Sequence, residues 1–275
     1  MKKKRHRKKE IKQAKLICII GVLVAIILLL LLFRLLFGNR EIYKIESRTN
    51  NIAKVVKTDT SDYDTIAWLR VQGTNIDYPV ILGKQKEFQY PVQQKKYAWL
   101  MGNDKEFHNK INIMGHNIFN LSSHPKKHSD DFDRFEELMA FVYEDFAKEN
   151  KYIQLTMNGK DYVYKIFSAG FTSSSSMILL PDGENDADDI NKQLKLFNKI
   201  SLYDYDVDVK TEDRYISLVT CTRFFENKDT NIYFVVSGRL LRDNEKISDY
   251  KVSANANYDE IKKILESDVN EDESV

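Results

Sequence analysis

The chain has 275 residues, with 42 basic and 41 acidic side chains. Charges that nearly cancel exclude a nucleic-acid partner gathered by bulk charge. Two cysteines, Cys18 and Cys221, exclude a disulfide framework, because Cys18 lies inside an apolar run and cannot meet Cys221.

Charge is unevenly placed. Residues 1–15 hold nine Lys/Arg and one acid, Glu10, whereas Glu266 to Val275 holds five acids and no base. Leu16 to Phe33 then runs for eighteen residues without a charge. As a helix that run is about 27 Å long, enough to span a bilayer. Arg34 interrupts it, and Leu35 to Phe37 extends it if Arg34 snorkels to the interface. The basic flank places the N-terminus in the cytoplasm and the rest of the chain outside. Phe37-Gly38-Asn39-Arg40 is a poor signal-cleavage site, so an uncleaved anchor is expected.

Glu41 to Lys57 suits a helix or stalk leaving the membrane. Ala67–Val71 and Ile76–Ile81 are short strand-like runs around the turn residues Gln72-Gly73-Thr74-Asn75. Pro79 predicts that the second is an edge strand or holds a bulge. Ile111–Met114 alternates and ends at Gly115-His116-Asn117. Apolar residues at Phe135, Leu138, Met139, Val142 and Phe146 predict a helix over Phe132–Asn150, with its acids facing solvent and Asp130 or Asp131 as cap. Tyr152–Met157 and Asp161–Ala169 predict a hairpin around Asn158-Gly159. The serines of 173–176 read as a loop. A second helix is expected over Asp186–Leu202, followed by strands Arg214–Cys221 and Asn231–Leu241. The polar tail from Arg242 predicts only a short helix at Asp259–Leu265 and a disordered end. Short strands with two inserted helices suit a small closed barrel.

Two residues carry chemistry. The strand ending at Cys221 would hold a thiol rigidly at the rim of a groove, although a lone cysteine is more often a core residue. Gly115-His116-Asn117 offers a histidine after a glycine that keeps neighbours clear of its ring. Such an imidazole can activate a thiol and then protonate a leaving amine; the bland alternative is an ordinary loop histidine. His124, His128, Asp130 and Asp131 have ligand-like spacing but sit among lysines, so no metal is expected. His6 and His108 have no case.

Four features occur in order: Ala67-Trp68-Leu69 with Asn75–Val80, Met114-Gly115-His116-Asn117, Leu218-Val219-Thr220-Cys221, and the basic flank and anchor of Lys2–Phe37. Together they resemble the sortase family of cysteine transpeptidases, over roughly residues 60–241. The helices near Phe132–Asn150 and Asp186–Leu202 resemble those of class B sortases. The resemblance implies a mainly β fold: a closed eight-stranded barrel with inserted helices, preceded by one transmembrane helix. The expected segments are a basic flank 1–15, an anchor 16–37, a helical stalk 38–60, a catalytic barrel 61–245 and a flexible tail 246–275. The resemblance further implies a sorting signal on a surface or pilin protein as substrate. The acceptor would be an amine of a cell-wall precursor or a pilin lysine, and no cofactor takes part. By position Cys221 is the nucleophile, His116 the acid and base, and Thr220 and Asn117 substrate-positioning residues.

One position departs from the family. Its third catalytic residue is an arginine near the start of the strand after the cysteine, and none lies between Arg223 and Arg239. Ungapped alignment puts Tyr233 there; counting as in other classes puts Asn231 there; Arg223 lies two residues beyond the nucleophile and is preferred. Arg239 is expected to be a solvated surface residue. Two other classes remain open, a wall-peptide cysteine hydrolase and a catalytically inert peptide-binding domain. Papain-like hydrolases place Cys before His, the reverse of the order here.

Overall fold

The computed structural model describes residue 15 and residues 17–29, 42–58, 64–82, 98–100, 109–117, 125–127, 135–173, 186–225 and 232–272. They divide into two compact units, Met1–Lys44 and Ile45–Val275. In the first, residues 17–29 are helical and every one of them is exposed, apolar side chains included. Among the described residues no helix is long and apolar enough to cross a membrane. Leu16 and residues 30–37 of the expected span lie outside the described residues.

In the second unit, helix α1 (Thr49–Thr58) precedes strand β1 (Asp64–Val71). The segment before α1 is fastened by Arg48, which donates Nε and Nη2 to the Asp77 carboxylate at 3.0 and 2.7 Å. Seven further strands complete a barrel: β2 (Asp77–Leu82), β3 (Ala98–Leu100), β4 (Lys110–Gly115), β5 (Tyr152–Met157), β6 (Lys160–Ser173), β8 (Tyr215–Thr222) and β9 (Ile232–Leu240). They close in the order β1-β2-β3-β4-β8-β9-β6-β5. Their pairings are antiparallel except β2 with β3 and β4 with β8, which are parallel. A small separate sheet pairs β7 (Tyr203–Tyr205) with β10 (Val252–Ala254).

The local chemistry explains most of these elements. Asn158 and Gly159 both take positive φ, 52° and 72°, which is the two-residue turn that matches strand twist, and Met157 faces Lys160 across it. Asp186 caps helix α3 (Ala187–Ile200) by accepting from the Asp189 N–H at 2.8 Å. Ile190, Leu194 and Phe197 of α3 pack on Phe167, Tyr215, Val219 and Val235. An eight-stranded barrel has room inside only for side chains, so this helix covers the outer face.

Several expectations are corrected. β2 lies between β1 and β3 and is no edge strand, and the bulge is in β1, between Thr65 and Ala67. Pro79 is tolerated because β3 meets β2 only at Val80 and Ile81, after the residue that has no N–H to give. The helix expected over Phe132–Asn150 is a 3-10 helix, Phe135–Val142, followed by helix α2 (Glu144–Glu149). Asp145 and Glu149 face solvent as expected, but Glu136 and Glu137 are buried, and Glu137 accepts from the Asn75 N–H. Asp130 and Asp131 lie outside the described residues.

The tail expected to be flexible is ordered through residue 272. Tyr250, Val252, Tyr258 and Ile261 are buried, the last two on helix α4 (Tyr258–Asp272). A few well-spaced apolar anchors in a polar segment hold it. The tail also explains Arg239, which is buried rather than solvated. Glu245 folds over it, with Arg239 Nη2 donating at 2.9 Å and Lys165 pairing at 2.8 Å.

Candidate active site

β4 and β8 run parallel, with Gly115 opposite Thr220. The next residue on each strand is His116 and Cys221. Neighbouring strands are about 4.8 Å apart, so the two candidate groups leave the barrel side by side from adjacent strand ends.

Alternation decides which way they point. Ile216, Leu218 and Thr220 fill one face of β8 and are fully buried. Tyr215 and Val219 occupy the other face, against α3. Cys221 continues that outer face beyond the helix and is exposed, between two buried threonines. Met114 packs against the same outer cluster, and His116 is the first residue beyond the end of β4. His116 is half-buried.

On the other flank β9 pairs Cys221 with Tyr233. Tyr233 also packs against the outer cluster and is half-buried. His116, Cys221 and Tyr233 therefore form a row across three adjacent strands. Cys221 reaches solvent, yet partial burial of its thiol pushes the pKa above the ordinary value. Burial raises the Tyr233 phenol too, and the Cys221 charge raises it further.

The other candidates fall in different places. Thr220 is fully buried, and its Oγ1 donates to the Gly115 carbonyl at 2.9 Å. That bond ties β8 to β4. Asn117 is half-buried, and both polar atoms of its side chain are enclosed without a hydrogen-bond partner. Arg223 lies past the end of β8 and is exposed. Asn231 lies outside the described residues, as do His6, His108, His124 and His128. Among the described residues no group of three or more His, Cys, Asp or Glu side chains could hold a metal.

The structure adds two supports that sequence reasoning missed. Gly115 is closely approached: a Cβ there would lie 2.3 Å from Phe135 Cγ, and the Phe135 N–H donates to the His116 carbonyl at 2.9 Å. The 3-10 helix thus seats the histidine backbone. Beyond the nucleophile, Phe224 is buried and stacks on Phe171 at 5.2 Å, and Phe225 and Phe234 pack edge-on to Phe171 at 4.9 Å. The Phe224-Phe225 doublet after the cysteine was the available signal.

The sequence matches the family model for the sortase domain over residues 69–241. Sortase B of Staphylococcus aureus is 26% identical over 185 residues, covering 65% of this chain and 71% of that protein. Sortase B of Listeria monocytogenes is 23% identical over 195 residues, covering 66% and 74%. Among solved structures, Clostridium perfringens sortase B matches with a TM-score of 0.53 at 25% identity, covering 70% of this chain and 99% of that one. A substrate complex of Staphylococcus aureus sortase B has the same fold, with a TM-score of 0.54 at 19% identity, covering 76% and 91%.

Proposed function

Because this chain belongs to the sortase family of cell-wall transpeptidases and is class B-like, we propose that Cys221 and His116 perform acyl transfer from a sorting signal to an amine. The observation that carries the reading is the parallel register of Gly115 with Thr220, which brings a histidine and an exposed cysteine to adjacent strand ends.

The reaction follows from those two groups. His116 takes the Cys221 proton as sulfur attacks the scissile carbonyl carbon. A C–S bond forms and the carbonyl π pair moves onto oxygen. Collapse of the oxyanion breaks the C–N bond, and His116 returns the proton to the departing amine, leaving a thioester on Cys221. The acceptor amine attacks that thioester, gives its proton to His116 and displaces sulfur. The substrate would be an LPxTG- or NPxTN-like signal cleaved after Thr, on a surface or pilin protein. The acceptor would be a cell-wall precursor amine or a pilin lysine. Asn117, next to His116, would help position the substrate, as the family resemblance implies.

The catalytic unit would sit outside a Gram-positive cell on a single-pass anchor over residues 16–37. Nine Lys/Arg precede that run, and its described apolar side chains are exposed. Lipid would cover them at less cost than water.

A mass-spectrometric trap tests the reading. The full chain in detergent is incubated with LPxTG- and NPxTN-like peptides. An adduct retaining the peptide through Thr is expected on Cys221, absent in Cys221→Ala and formed about a hundredfold more slowly in His116→Ala. No adduct with any peptide, together with a slowly alkylated thiol, would instead favour an inert peptide-binding domain.

A further inference from the structure

We infer that the Tyr233 hydroxyl is the oxyanion donor of this site, a neutral phenol on the flank of Cys221 opposite His116. The inference rests on the reading of Cys221 as an acyl-transfer nucleophile.

Position carries the argument. When sulfur adds to a carbonyl carbon, the base must lie on the side of the proton and the leaving amine. The carbonyl oxygen then swings toward the other flank. Here that flank is β9, and the residue paired with Cys221 is Tyr233. Directly opposed side chains in an antiparallel pair have Cβ atoms about 4.5–5.5 Å apart and share a face. Both residues lie on the outer face shared with the α3 cluster. The phenol is near enough for the Cys221 charge to act on it. Arg223, preferred from the sequence, stands beyond the strand end with an exposed side chain. A phenol can donate one hydrogen bond to an oxyanion, without the charge or the fork of a guanidinium. No proton is transferred in that step. The hydrogen bond shortens as the C=O pair localises on oxygen and relaxes as the carbonyl re-forms.

Two reagents that consume the same thiol separate this role from a structural one. Iodoacetamide alkylates sulfur by displacing iodide and passes through no oxyanion. p-Nitrophenyl acetate acylates sulfur through a tetrahedral oxyanion and needs no sorting motif. In the full chain, Tyr233→Phe is expected to slow acylation of Cys221 by about a hundredfold, leaving alkylation within about twofold of wild type. Tyr233→Arg, which restores a donor, should acylate at least as fast as wild type. Equal acylation rates for wild type and Tyr233→Phe would overturn the inference, and so would a parallel loss of both reactions. The peptide trap reports separately: the ester defect without any peptide adduct would keep Tyr233 in this role and remove the sorting-signal reading.

Discussion

Cys221 is an exposed thiol whose pKa is raised by partial burial. A raised thiol pKa favours the protonated form at neutrality, so the resting site should hold a thiol that His116 deprotonates during attack. Alkylation by iodoacetamide should therefore climb about tenfold per pH unit through neutrality and level off only above the ordinary thiol value of about 8.5. A plateau below that value would indicate a preformed imidazolium–thiolate pair instead. Cys221 and His116 stood out in the sequence as candidates because each lies at the end of an apolar run, and the strand register sets their positions side by side. Thr220 was expected near substrate because it stands beside the cysteine; strand alternation turns its side chain inward, onto the Gly115 carbonyl. Tyr233 stayed one of three candidates because its place opposite Cys221 is set by cross-strand register, which no local pattern announces.

At the scale of elements, the 3-10 helix Phe135–Val142 sets the histidine strand. Phe135 occupies the space a side chain at residue 115 would need, and it is fully buried and cannot swing away. Gly115→Ala should cost about 1–3 kcal/mol in urea unfolding, as overpacked cores do. It should also slow Cys221 acylation more than alkylation, since the displaced group is the His116 backbone. Unchanged stability would mean that the 3-10 helix yields freely. Hydrophobic spacing predicted a helix over Phe132–Asn150, but it could not show that Phe135–Val142 is 3-10 and buried throughout. Polarity suggested solvent for Glu136 and Glu137, yet the Asn75 N–H that Glu137 accepts comes from a turn some sixty residues away. The hairpin at Asn158-Gly159 and the capped helix at Asp186 were legible because their signals are local. That the strand of Pro79 is central and not an edge follows from a short parallel partner, β3, that no local pattern announces.

Across the molecule, the tail after β9 covers a buried cation of the barrel wall. Arg239 is buried beneath Glu245, which Lys165 also contacts. These partners hold the Glu245 carboxyl far below the usual carboxylate range. Glu245→Gln would leave a buried guanidinium without its counter-charge and should cost about 3 kcal/mol. The sign of the pH effect follows from the depressed folded pKa. The stabilisation is present above the unfolded glutamate value of about 4.3 and fades as pH falls toward the folded one. The gap between wild type and variant should thus be constant from pH 5 to 8 and narrow below about pH 4; a gap that widened in acid would contradict the pair. A last consequence concerns time. The contact that joins the two reacting strands links residues 105 positions apart, and parallel pairings of such distant segments are among the slowest to form. Cys221 should therefore meet His116 only late in folding, so that a partly folded chain carries a thiol with nothing assembled around it.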